Sequence, residues 1–151
     1  MNIVLHQPEI PHNTGAIGRT CLMTNSALHL IRPYGFFLDE KSLRRSGLDY
    51  WHKLNVSEYD NFAAFEAEIE KKSPRGKFWL VETSGGENYS DVKYGRDDYL
   101  IFGSETVGLP SEILHKFPVV RIPMVGDERS LNLSVSVGIV LYEALRQTGF
   151  W

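Results

Sequence analysis

The sequence predicts an α/β fold, with a mainly parallel sheet that carries helices on both faces. Strand-like and helix-like segments alternate along the 151 residues, which is typical of βαβ units. Two strand-like segments, Leu100 to Phe102 and Val119 to Ile122, are mostly apolar, as expected of strands covered on both sides. No repeat or linker interrupts the alternation. Residues 1–151 are therefore predicted to form a single domain.

The N-terminal elements follow from short patterns. Asn2 to Leu5 is predicted to be the first strand. Asn13 or Thr14 is predicted to cap a helix that continues to Met23, because side chains of this kind accept hydrogen bonds from the first turn. Ala27 to Ile31 is predicted to be the second strand.

Two helices and two strands are predicted in the middle of the chain. Asp39 is predicted to cap a short helix that ends near Gly47, and Asp60 to cap a helix with one buried face. That buried face consists of Phe62, Phe65 and Ile69. The strands are Val56 to Tyr59 and Phe78 to Val81, and a polar stretch without predicted structure follows.

The C-terminal third, Tyr99 to Arg146, reads as strand, glycine-rich loop, short helix, strand, loop and long helix. Loops that follow the carboxyl ends of parallel strands form the ligand crevice of open α/β sheets. The loop from Gly103 to Gly108 offers backbone N–H groups with little side-chain obstruction, and Pro110 is predicted to start the short helix. The two loops are predicted to enclose a nucleoside-sized molecule.

The long helix is predicted from Asn132 to Gln147. Beside its apolar stripe lies a second stripe in which Ser134, Gly138 and Tyr142 are four residues apart. Periodicity favours core packing with one hydrogen-bonded tyrosine over a tyrosine that points into a site.

Several functional classes are excluded by composition and by incomplete motifs. The chain has no long apolar run, no signal peptide and a single cysteine, which predicts a cytoplasmic protein without disulfides or membrane spans. Its net charge of −3 argues against broad non-specific nucleic-acid binding. Leu109 and Pro110 replace the lysine and hydroxyl residue of a phosphate-binding P-loop, and Ser104 lacks a hydrolase elbow. The five histidines have no metal-ligand spacing, so no metal is expected.

Three segments together resemble the motifs of the SPOUT (SpoU-type) RNA 2′-O-ribose methyltransferases. They are NTGAIGRT (Asn13 to Thr20), LIFGSETVGLP (Leu100 to Pro110) and IPMVGDERSLNLSVSVGIVLYE (Ile122 to Glu143). The short length and the segment KSLRRSGLDYW (Lys41 to Trp51) are similar to a subgroup that modifies the wobble nucleotide of tRNA.

The resemblance implies a homodimer whose chain forms a deep trefoil knot between about residues 78 and 146. It also implies that S-adenosylmethionine is the methyl donor and S-adenosylhomocysteine the product. The residues carried over to the cofactor site are Val81, Thr83, Gly103, Glu105, Gly108, Ile122, Met124, Ser130, Leu131 and Asn132.

The resemblance further implies transfer to the 2′-hydroxyl of the wobble nucleotide in the anticodon stem-loop of tRNA, with leucine tRNAs as the expected substrates. We expect Tyr142 to accept the proton and Arg19 to position a phosphate or the hydroxyl, because a guanidinium is a poor base. RNA contacts are expected at Lys41, Arg44, Arg45 and Arg129. Two other readings stay open: methylation of ribosomal RNA or another tRNA position, and RNA binding without catalysis.

Overall fold

The computed structural model of the chain describes residues 1–37, 50–72, 76–126 and 130–149. All four residues predicted to contact RNA lie outside this described part, namely Lys41, Arg44, Arg45 and Arg129. The helix predicted from Asp39 to near Gly47 lies outside it as well.

Within the described residues, seven strands form one sheet in the order β3-β2-β1-β6-β4-β7-β5, and all its pairings are parallel. The strands are β1 (Asn2–His6), β2 (Ala27–Ile31), β3 (Val56–Tyr59), β4 (Phe78–Glu82), β5 (Glu87–Asn88), β6 (Tyr99–Phe102) and β7 (Val119–Arg121). The predicted parallel sheet is confirmed. The edge strand β5 was missed, because two residues within a polar stretch carry no periodicity.

Helices cover both faces of the sheet, as predicted. The described helices are α1 (Pro11–Met23), a 3₁₀ turn (Trp51–Lys53), α2 (Phe62–Lys72), α3 (Ser111–Leu114) and α4 (Leu133–Thr148). Helices α1 and α4 pack on one face and α2 and α3 on the other, so the sheet lies between two apolar clusters. None of the helices in the described ranges is long and apolar enough to cross a membrane.

Two of the predicted helix caps are wrong. Helix α1 begins at Pro11, before Asn13, and its N-cap Ile10 makes no side-chain cap bond. Proline suits this first position because its fixed φ is already helical and the N–H it lacks would have had no partner. At α2 the capping side chain is Asn61, whose Oδ1 accepts a hydrogen bond from the N–H of Ala64 at 2.9 Å.

The strand order determines where the site lies. Strand β6 lies between β1 and β4, and β4 lies between β6 and β7. Because these strands are parallel, the loops that follow them all emerge at the same edge of the sheet. The glycine loop after β6 therefore meets the loop between β1 and α1 on one side and the loops after β4 and β7 on the other.

Candidate active site

A cavity of about 560 Å³ opens at this edge of the sheet. Its walls come from the start of α1, the ends of β4 and β6, the glycine loop, and the loop from β7 to α4. All ten residues assigned to the cofactor line it, namely Val81, Thr83, Gly103, Glu105, Gly108, Ile122, Met124, Ser130, Leu131 and Asn132. Residues far apart in sequence are thus brought together at one open cavity.

The glycine loop folds back tightly on itself. Gly108 has φ of +76°, a left-handed conformation that favours glycine. A Cβ added to Gly103 would lie 2.1 Å from the carbonyl carbon of Gly108, so only glycine fits there. The loop is also tied to β4, because the carboxylate of Glu82 accepts a hydrogen bond from the N–H of Leu109 at 2.7 Å. The wall of the cavity is therefore fixed by backbone packing at Gly103 and by the hydrogen bond to Glu82.

Glu105 joins the glycine loop to the loop between β1 and α1. Its carboxylate accepts hydrogen bonds from the N–H groups of Glu9 at 2.8 Å and Ile10 at 3.2 Å, and from Nδ2 of Asn13 at 3.0 Å. In return, the carboxylate of Glu9 accepts from the N–H and Oγ1 of Thr106 at 3.1 and 2.7 Å. These bonds give Glu105 a part in holding two walls of the cavity together.

Asn13 extends this network to the last helix. Its Oδ1 accepts a hydrogen bond from Nδ2 of Asn132 at 2.9 Å. Oδ1 of Asn132 in turn accepts from the N–H groups of Ser134 at 2.9 Å and Val135 at 3.3 Å, which makes Asn132 the N-cap of α4. The three segments that carry the resemblance are thus linked through Glu105, Asn13 and Asn132.

Replacing Asn132 with alanine is expected to lower the free energy of unfolding by about 1–2 kcal/mol, because α4 loses its cap. It is also expected to weaken ligand binding in the cavity, because Asn132 fixes the end of a wall loop. Asn61→Ala, which removes the cap of α2 outside the cavity, is the matched control. Thermal melting and calorimetry with S-adenosylhomocysteine should show similar destabilisation in both variants and weaker binding only in Asn132→Ala. Equal affinities of the two variants for S-adenosylhomocysteine would contradict the idea that the cap of α4 shapes the cavity.

A second cavity of about 440 Å³ lies between α1 and α4 and brings together the two predicted catalytic residues. Arg19 and Tyr142 both line it, with Tyr50 beside them. The guanidinium carbon of Arg19 lies 5.0 Å from the centre of the Tyr50 ring, and the Tyr50 hydroxyl donates a hydrogen bond to the carbonyl of Gly15 at 2.7 Å. Tyr50 thus orients Arg19 along α1.

The stripe of Ser134, Gly138 and Tyr142 is not part of the core, so the favoured interpretation from periodicity was wrong. The Tyr142 side chain is 47% exposed. No atom of the described residues lies within 4 Å of a Cβ added to Gly138, apart from the backbone of its own helix. The stripe lies beside the apolar side of α4, and Gly138 and Tyr142 line the second cavity.

Sequence reasoning did not assign Asn13 and Glu82 to the first cavity, although both line it. Asn13 was interpreted as a cap, although its place at the start of the first motif could have suggested a role in the site. Glu82 directly follows a predicted strand, which is the general position of site residues in such sheets. Among the described residues, no group of three or more His, Cys, Asp or Glu side chains could hold a metal ion.

The family model described as SpoU rRNA Methylase matches residues 1–142. The chain belongs to this family. Among its relatives is a tRNA (cytidine(34)-2'-O)-methyltransferase of Escherichia coli, which is 48% identical over 153 residues and is matched over 99% of this chain and 95% of the relative.

Solved structures share the fold of the chain. One, from work on the 2-OH methylation of C/U34 on tRNA, has a TM-score of 0.87 and 45% identity, with coverage of 97% of this chain and 94% of the other. The SpoU methyltransferase AviRb of Streptomyces viridochromogenes, in complex with AdoMet, has a TM-score of 0.84 at 24% identity, with coverage of 97% and 57%. With 24% identity, the similarity to AviRb shows only that the two proteins have the same fold.

Proposed function

We propose that this SpoU-family chain transfers a methyl group from S-adenosylmethionine to the ribose 2′-hydroxyl of the wobble nucleotide of tRNA. The observation that carries the proposal is its 48% identity, over nearly the full length of both chains, to a tRNA (cytidine(34)-2'-O)-methyltransferase. The expected substrates are leucine tRNAs, and the expected compartment is the cytoplasm.

The residues of the first cavity fit S-adenosylmethionine. A volume of about 560 Å³ lies in the range of small-molecule sites. The backbone at Gly103 permits close approach, Met124 and Leu131 offer partly exposed apolar contacts, and the carboxylate of Glu82 complements a positive charge. When bound, the cofactor supplies an activated methyl group. The ten residues assigned to it would bind and orient it, and would exclude water from its reactive end.

Arg19 and Tyr142 would act on the RNA. A hydroxyl that is methylated must lose its proton, and a phenolate can accept it when a nearby cation stabilises the charge. Arg19 lines the same cavity as Tyr142 and carries a permanent positive charge, so it can position a phosphate beside the tyrosine. Both residues line the second cavity rather than the first, which leads us to propose that they serve the cofactor cavity of a second copy.

The proposed homodimer would form through the outer surface of α1 and α4. Met23, Leu131, Val135 and Tyr142 are exposed large hydrophobic side chains on or beside these helices, and Met23 is 70% exposed. Burying such side chains would favour association. Light scattering after size exclusion should give twice the mass of the chain, and a monomer active at the same concentration would contradict the proposal.

We also propose the deep trefoil knot for residues 78–146. The strand order supports it. Strand β6 lies between β1 and β4, and β7 lies between β4 and β5, although in each case both neighbours come earlier in the sequence. A crystal structure with a continuous trace through both loops would test it directly.

The substrate is tested by methylation of tRNA that lacks the modification, followed by mass mapping of the product. A single methyl group on the ribose of nucleotide 34 is the expected result. Methylation of ribosomal RNA or of another tRNA position would favour a methyltransferase with a different target. Tight RNA binding without transfer would favour an RNA-binding protein without catalysis.

Alanine substitutions at Lys41, Arg44, Arg45 and Arg129 are expected to raise KM for tRNA.

A further inference from the structure

A third cavity of about 370 Å³ lies on the far side of the glycine loop. His6, Pro33, Tyr34, Gly35 and Pro110 contribute to its lining. It shares Ser104, Val107 and Gly108 with the cofactor cavity, so the glycine loop is a common wall. We propose that this third cavity binds an unpaired nucleobase of the RNA substrate, an inference that rests on the proposed function.

His6 is the polar group that suggests a ligand. It is 6% exposed, and its Nδ1 lies beneath the surface without a hydrogen-bond partner in another described residue, so a base that enters the cavity would bond to it only after the ring turns. Burial lowers the pKa of His6, although the carboxylate of Glu112 acts in the opposite direction, so the neutral imidazole is favoured. A buried polar atom without a partner destabilises the free protein. A neutral imidazole can donate at one nitrogen and accept at the other, as the edge of a base requires.

The lining selects an uncharged ring over a phosphate. None of the described residues that line the cavity is a lysine or arginine, and the acidic residue Glu9 is among them. Pro33, Pro110 and the Tyr34 ring offer apolar contact surface. Tyr34 is stacked on Phe36 with ring centres 5.8 Å apart, and the neighbouring Phe37 is 84% exposed. Aromatic side chains of this kind stack with unpaired bases in RNA recognition.

The position of the cavity limits which base can enter it. A ribose presented to the cofactor cavity lies on one side of the shared glycine loop, with the third cavity on the other side. The base on that ribose and the bases on either side of it are therefore the candidates. All three have the same ring chemistry, and the experiment separates them.

The test uses the full-length protein and an anticodon stem-loop RNA. Abasic nucleotides are placed in turn at the target position and at its 5′ and 3′ neighbours, and kcat and KM are measured for methyl transfer. His6→Phe keeps a ring and removes the nitrogen atoms, whereas His115→Phe makes the same change at an exposed histidine outside the lining. His6→Phe is expected to lower kcat/KM on the intact RNA about tenfold, through KM, with unchanged S-adenosylhomocysteine affinity.

One abasic RNA should lower kcat/KM for the native enzyme, and on that RNA His6→Phe should cause no further loss. The position of that abasic nucleotide identifies the bound base. A native enzyme that methylates all three abasic RNAs as well as the intact one overturns the inference, even if His6→Phe fails to fold. The inference is also overturned if the loss in kcat/KM caused by His6→Phe is as large on that abasic RNA as on the intact RNA. Failure to methylate the intact RNA at all overturns the proposed function instead, and the inference with it.

Discussion

Replacing Gly103 with alanine is expected to weaken the binding of S-adenosylhomocysteine about 100-fold and to reduce methyl transfer by a similar factor. A Cβ at this position would lie 2.1 Å from the carbonyl carbon of Gly108 and 2.4 Å from the backbone N of Leu109. Both neighbours are backbone atoms, so the loop must open rather than a side chain turn away. Overpacking of this kind costs on the order of 3 kcal/mol, which corresponds to about 100-fold in affinity.

Gly126→Ala is the matched control for this experiment. Gly126 lies in the loop between β7 and α4, and a Cβ built there has no described atom within 4 Å. The control should bind S-adenosylhomocysteine like the native protein in calorimetry. Thermal melting distinguishes loss of the site from loss of the fold. A Gly103→Ala protein that binds with native affinity would show that the loop does not form the cofactor wall.

The α/β class could be predicted because strand and helix periodicities are local properties. The strands Ala27–Ile31 and Val56–Tyr59 were predicted with the observed bounds. The start of α1 was not, because Asn13 is a common capping residue and its side chain is instead used by Glu105, 92 residues away along the chain. A competition of this kind is decided by the tertiary structure, which a local pattern does not contain.

The same distinction applies to the candidate site. The ten residues taken from the resemblance line one cavity. The hydrogen bonds of Glu105 to the loop between β1 and α1 could not be predicted, because they depend on β1 and β6 being neighbours in the sheet. Tyr142 shows the reverse case, in which periodicity favoured a packed stripe and the structure leaves a half-exposed phenol. Periodicity predicts which residues share one face of a helix. What packs against that face depends on the fold and, for the proposed dimer, on a second chain.

Replacing Tyr142 with phenylalanine is expected to lower kcat about 100-fold, within the range of about 10² to 10⁴ that a positioned acid or base contributes. The exchange removes only the hydroxyl, so the aromatic ring in the groove between α1 and α4 is kept. Because the proposed role of the Tyr142 hydroxyl is toward the RNA and not toward the cofactor, the affinity for S-adenosylhomocysteine should stay unchanged. Single-turnover rates with saturating RNA and cofactor measure the effect on the transfer step.

Tyr89→Phe makes the same exchange outside all three cavities and should leave the rate of transfer at the native value. A Tyr142→Phe enzyme with native turnover would rule out the tyrosine as proton acceptor.

The proposed sharing of the site between copies is tested by mixing Arg19→Ala and Gly103→Ala chains. A heterodimer of the two would contain one site with both residues intact. Activity in that mixture well above that of either variant alone requires that Arg19 of one chain serves the glycine loop of the other.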